Sequence, residues 1–193
     1  MIIAGRPAIS DTLLAWYFVI VWGTGFIATK IGIQYAAPFT FLSMRFAIGI
    51  FCLLPLLIWI KPRWPSTKMV WLHVVIAGLL MHAIHLSGSH YGQYAGSSAG
   101  VVAIILAAQP LLTAMIAARL LGESPSSHQW LGIFIGLGGV ALIVWHKIDI
   151  QAMTSLSLAS LTIALIALTV GTLYQRRFLK DADLFSAAFI QFV

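Results

Sequence analysis

Charge is what this chain has least of. Asp, Glu, Lys and Arg make up 8% of its 193 residues, five acidic against eleven basic. A soluble domain places charge at about a quarter of its positions, because its surface must face water. Such poverty excludes an ordinary water-facing exterior and makes lipid the expected solvent. Cysteine is scarcer still. Cys52 stands alone inside an apolar stretch, which excludes an intrachain disulfide framework. No Asp or Glu falls in the middle of any apolar stretch, so this portion lacks the carboxylate proton relay of many pumps. The net charge of +6 raises nucleic acid as a partner, but no basic run is interleaved with exposed aromatics, and none is expected. What is abundant is apolar: 61% of residues are hydrophobic and mean hydropathy is +0.99.

Crossing the hydrocarbon layer takes about 20 apolar residues. Such runs cover about 12–32, 38–60, 69–95, 97–121, 129–146 and 154–175, and another begins near 183. The fold class this predicts is all-α, a polytopic transmembrane helix bundle. The first run is too long and too poorly flanked for a cleaved signal peptide, so it reads as a retained span. Short loops let the positive-inside rule operate. Arg6, Lys61, Arg63, Lys68, Arg119, Arg176, Arg177 and Lys180 fall on one side, against Lys147 and Lys30 on the other. That bias predicts a cytoplasmic N-terminus.

Irregularities inside spans are informative, because a membrane helix must satisfy its own backbone. Trp22-Gly23-Thr24-Gly25 occupies the middle of the first span, and Gln109-Pro110 the middle of the fourth. Pro110 lacks the N–H that would bond the Leu106 carbonyl. His82, His85, Ser89 and Gln93 share one face of a helix at 100° per residue. Gly132, Gly136 and Gly139 are spaced to let another helix approach closely. The segment from Trp22 to Lys30 also has a faint echo in LTVGTLYQR, where Leu168 falls opposite Trp22, Gly171 opposite Gly25 and Arg176 opposite Lys30.

Taken in order, WGTGFIATK at 22–30, PFTFLSMRFAIGI at 38–50, SSAGVVAIILAAQPLLTAMIAARLLGE at 97–123 and QWLGIFIGLGGVALIV at 129–144 resemble the drug/metabolite transporter superfamily. The resemblance is to its EamA-type ten-helix members, and GTLYQRRF at 171–178 looks like the opening helix of that family's second repeat. It implies a five-span first repeat over 1–148 and the start of an inverted second over 149–193, hence a fragment. It further implies a secondary transporter in the bacterial inner membrane, moving a small metabolite or drug-like solute by alternating access without a bound cofactor. Small multidrug relatives work as dimers of single repeats, so homodimerisation through the Gly132-Gly136 face, or a truncation that transports nothing, is the alternative.

Each candidate residue carries two readings. Trp22 and Thr24 lie where a transporter builds its site, yet the Thr24 hydroxyl can equally bond its own helix. His82 and His85 are ionisable groups within a span and so candidates for a polar pathway. No carboxylate lies near them, so neither a metal site nor an intramembrane enzyme using Ser89 is expected. Gln109 can contact solute or tie helices together, the latter for about 0.6–2 kcal/mol. Thr169 and Thr172, on the echoing segment, join the substrate-binding set. Lys30 and Arg45 either attract an anionic or zwitterionic substrate or snorkel to the interface. Gly122 reads as a helix C-cap, Ser126 or Ser127 as the next N-cap, and Glu123 as structural.

Overall fold

A computed structural model describes residues 9–120, 126–144 and 153–193. Arg6, Gly122, Glu123, Lys147 and the expected repeat boundary at 148 lie outside the described residues. The described chain is helical and carries no strand: α1 (Ile9–Gly32), α2 (Pro38–Ile60), α3 (Lys68–Gly78), a π-helical stretch (Leu79–Ile84), α4 (His85–Tyr94), α5 (Ala99–Ala107), α6 (Gln109–Leu120), α7 (Ser127–Val144), α8 (Ser155–Phe178) and α9 (Leu184–Phe192). Among the described residues, four rods are long and apolar enough to cross a membrane: Pro38–Ile60, Lys68–Tyr94, Ala99–Arg119 and Ser155–Phe178.

Local chemistry sets the helix ends. Thr67, Ser98 and Thr154 each accept a backbone N–H at the start of α3, α5 and α8. Ser126 and Gln129 form a reciprocal capping box on α7, with Ser126 N–H donating to Gln129 Oε1 at 2.8 Å and Gln129 N–H to Ser126 Oγ at 3.3 Å. Asp183 Oδ1 accepts from Phe185 and Ser186 N–H at the start of α9.

Two of these rods are interrupted, one of them where Pro110 predicts it. The rod from Lys68 to Tyr94 passes through the π stretch, where one extra residue per turn displaces the register just before His85. The rod from Ala99 to Arg119 breaks at Ala108, whose N–H reaches back only to the Ile105 carbonyl at 3.2 Å. Pro110 follows, with no N–H to offer Leu106.

Helix α8 is the central element, packed against α3, the π stretch, α4, α5 and α6. Its closest partner is α4, and glycine is the reason. A Cβ added at Gly88 would fall 2.7 Å from the Ser160 carbonyl oxygen, and one at Gly92 would fall 2.7 Å from Leu161. Leu161 and Ala164 then pack with Val101, Val102 and Leu106, while Val74, Ala77, Leu179 and Ala187 form a second core toward the other end. Near α4's last turn, Ser157 Oγ–H donates to the Gly92 carbonyl at 3.0 Å and accepts from Ser97 Oγ–H. Thr154 Oγ1–H reaches the Ala95 carbonyl at 3.1 Å. At the opposite end, His73 and Tyr174 share a 2.6 Å hydrogen bond, and Ser186 Oγ–H donates to the Arg63 carbonyl at 2.8 Å. These contacts draw Arg63, Lys68, Arg176 and Arg177 to one end of the bundle. The outer surface is apolar, with Phe51, Ile58, Trp59, Ile135, Leu142 and Ile163 all more than half exposed. Water would not hold such a surface; lipid does.

Candidate functional site

Inside this apolar exterior lies a cavity of about 530 Å³ between α1, α2, the π stretch, α4 and α8. That size is ordinary for a small-molecule site. Its polar lining is Thr29, Arg45, His82, His85, Ser89, His90 and Gln93. Thr29, His85, Ser89, His90 and Gln93 are buried. No acidic side chain is among the described lining residues.

Each imidazole is held by one partner of known role. His85 Nδ1–H donates to the Ala164 carbonyl across the α4–α8 contact, 3.1 Å. His90 Nδ1–H donates to the Leu86 carbonyl at 2.7 Å, and its Nε2 lies 3.3 Å from the Thr29 hydroxyl. Thr29 Oγ1 is also 2.9 Å from the Gly25 carbonyl. His82 Nε2–H donates to Gln191 Oε1 at 3.3 Å, and its ring meets Phe46 and Phe192 edge-on. Gln93 is different: its Oε1 is buried and accepts no hydrogen bond among the described residues. Trp22, Gly25 and Gly49 complete the wall on the α1 and α2 side.

The expected site residues divide. Trp22, Arg45, His82 and His85 border this one cavity. Gln109 and Thr172 border another, of about 980 Å³, between α6, α7 and α8, together with Gly132 and Gly136. There Gln109 Nε2–H donates to Thr113 at 2.9 Å and to Thr172 at 3.4 Å, while Thr172 Oγ1–H donates to the Leu168 carbonyl. Thr24 is exposed, and its hydroxyl bonds the Ile20 and Val21 carbonyls of its own helix. Thr169 is buried and bonds the Leu165 carbonyl in the same way. Lys30 is exposed and lines neither cavity. Gly132, Gly136 and Gly139 meet no described neighbour within 4 Å of an added Cβ. The close glycine approach occurs instead at Gly88 and Gly92, a small-xxx-small spacing legible in SGSHYG but not singled out. Thr29 was missed as well. Its signal is its place one turn after Gly25, on the same helix face.

An apolar-skinned helix bundle around a polar hollow is a multi-pass membrane protein. The EamA-like transporter family matches residues 11–145, and the chain belongs to that family. It is 27% identical over 124 residues to the uncharacterized inner membrane transporter YedA of Escherichia coli K12, covering 64% of this chain and 40% of that protein. It is 24% identical over 177 residues to the probable amino-acid metabolite efflux pump of the same strain, covering 89% and 55%. Transporter YvbV of Bacillus subtilis 168, also uncharacterized, is 28% identical over 146 residues, covering 71% and 44%. The chain thus spans about half the length of the curated relatives it matches. No solved structure matches it.

Proposed function

We propose that the chain is part of a secondary transporter that moves a small organic solute across the membrane by alternating access, with the cavity at Trp22, Thr29, His82, His85, Ser89, His90 and Gln93 as its solute site. One observation carries this reading: buried polar side chains surround a hollow within helices whose outward faces are apolar. Polar groups at that depth are costly unless protein, water or solute matches them. Family membership supports the same reading, and the relative named as an efflux pump makes export the direction we adopt. The chemistry is binding rather than catalysis. The matched family and the relatives' names, transporters rather than enzymes, support that reading.

In this reading residues 1–148 form a first five-helix repeat and 149–193 open an inverted second. The N-terminus and the basic end of the bundle face the cytoplasm of a bacterial inner membrane. Solute counterflow into vesicles reconstituted with the full-length protein tests the site. His85→Ala should lower flux at least about tenfold, and Thr24→Ala should stay within about twofold. Equal effects of the two variants would place the site elsewhere. Pairing of two copies through the open Gly132-Gly136 face is the competing assembly, and Gly132→Cys would then cross-link in the membrane.

A further inference from the structure

The cavity has a neighbour. A further hollow, of about 630 Å³, lies between α2, α3, the π stretch and α9, with Trp71, Val75, Leu79 and Phe189 in its walls. The two are stacked along one rod, Lys68–Tyr94. The further hollow borders that rod from Trp71 to Ala83, starting near the basic end, and the cavity borders it from Met81 to Gln93. Each stretch covers about 18 Å at 1.5 Å per residue. Together they cover about 33 Å, which matches the roughly 30 Å thickness of the hydrocarbon layer. Neither hollow alone crosses that layer.

Among the described residues, Phe46, His82 and Phe192 border both hollows. Their rings meet pairwise. Centroids are 6.1 Å apart for Phe46 and His82, 5.2 Å for His82 and Phe192, and 5.6 Å for Phe46 and Phe192. These are contact distances for aromatic rings. One ring comes from each of α2, the π stretch and α9, so the partition is made of side chains that can rotate. His82 stands in the π stretch, a form rare in helices except at sites that work. The end of α9 lies against glycine on both sides. An added Cβ would fall 3.4 Å from the Phe192 ring at Gly49 and 3.0 Å from the Gln191 Cα at Gly78. Hydrogen at both positions leaves smooth surfaces for that end to move over. Gln191 accepts from His82 at 3.3 Å, while its own Nε2 is buried with no partner among the described residues. A closed form that leaves a buried donor unmatched gives up hydrogen bonding, and a rearrangement that frees the amide restores it.

We propose that the two hollows are successive stations of one solute path, and that the rings of Phe46, His82 and Phe192 form the gate between them, latched by the bond from His82 to Gln191. This rests on the cavity being the solute site. It adds a second station on the side of the basic end, whose walls at Trp71, Val75, Leu79 and Phe189 hold the same small organic solute by its apolar part.

The path is read with thiols rather than with a solute. In the full-length protein carrying Cys52→Ala, Leu86→Cys reports the cavity and Val75→Cys the further hollow. A small impermeant methanethiosulfonate is applied from the face at which Lys180→Cys reacts. The quantity read is the labelling rate of Leu86→Cys divided by that of Val75→Cys. Adding Phe46→Ala or Phe192→Ala should raise this ratio at least about tenfold, and Gln191→Leu about threefold. Phe51→Ala, on the exposed side of the same helix as Phe46, should leave it within about twofold. From the opposite face the Leu86→Cys rate should stay within about twofold in every variant, which a general loosening would not allow. Ratios unchanged in both alanine variants overturn the proposal, as does an unchanged ratio in Gln191→Leu. A rise from both faces would mark the three rings as plain packing and overturn it too. So would a Leu86→Cys thiol that reacts from neither face. None of these outcomes decides the transport reading, which the counterflow measurement judges separately.

Discussion

Thr24 and Thr29 carry the same hydroxyl on the same helix and meet different fates. Thr24 faces outward and returns its proton to the Ile20 and Val21 carbonyls. Thr29 is 4% exposed and reaches His90 on another helix. Thr29→Val keeps the shape and strips His90 Nε2 of its partner where the ring is 2% exposed. An orphaned buried polar atom costs about 1–3 kcal/mol. Thermal unfolding in detergent should show Thr29→Val melting several degrees below the parent and Thr24→Val close to it. At this scale the sequence was only partly legible. Periodicity put His82, His85, Ser89 and Gln93 on one face, and all four border the cavity. It could not rank Thr24 against Thr29, because their difference lies in which way α1 turns toward α4. Nor could it pair Gln109 with Thr172, which depends on α6 meeting α8.

Among the elements, the α4–α8 contact is the one with least slack. Gly88→Leu would press a side chain into the Ser160 carbonyl and Ala164, whereas Gly132→Leu would meet no described neighbour at its Cβ. Overpacking costs typically about 1–3 kcal/mol. Folded yield and melting point should therefore fall for Gly88→Leu and hold for Gly132→Leu in detergent. Equal losses would mean that the α7 face is covered in the assembled protein. Helix existence and approximate ends were readable from apolar run length, since lipid imposes that length directly. The break at Ala108 was readable from Pro110, which removes a definite N–H. The π stretch from Leu79 to Ile84 left no such mark: no proline or paired glycine announces it, and its extra residue is set by packing on α8.

For the whole molecule, the fold class followed from composition and the length of the apolar runs, because a chain with so little charge faces lipid and runs of about 20 residues cross it as helices. Arrangement did not follow. That α8 should pack against α3, the π stretch, α4, α5 and α6 depends on small residues at Gly88, Gly92, Ala164 and Gly171 that no hydropathy profile weights. Orientation belongs to this scale too. Lys180 lies beyond the end of α8, and Gln34 lies just past the end of α1. Lys180→Cys should react with an impermeant maleimide only in inverted vesicles, and Gln34→Cys only in whole spheroplasts. The reverse pattern would invert the topology.

Thr29 owns a single proton and stands beside two acceptors, Gly25 and His90. While the His90 ring is neutral, with its own proton spent on Leu86, Nε2 and the Gly25 carbonyl compete for the threonine proton, and the carbonyl keeps its helical N–H either way. Add a proton to the ring and the competition ends. Nε2 becomes a donor, the threonine oxygen receives it, and the hydroxyl swings back to Gly25. The ionic state of a ring on α4 is thereby copied into the backbone of α1, at the glycine that borders the cavity.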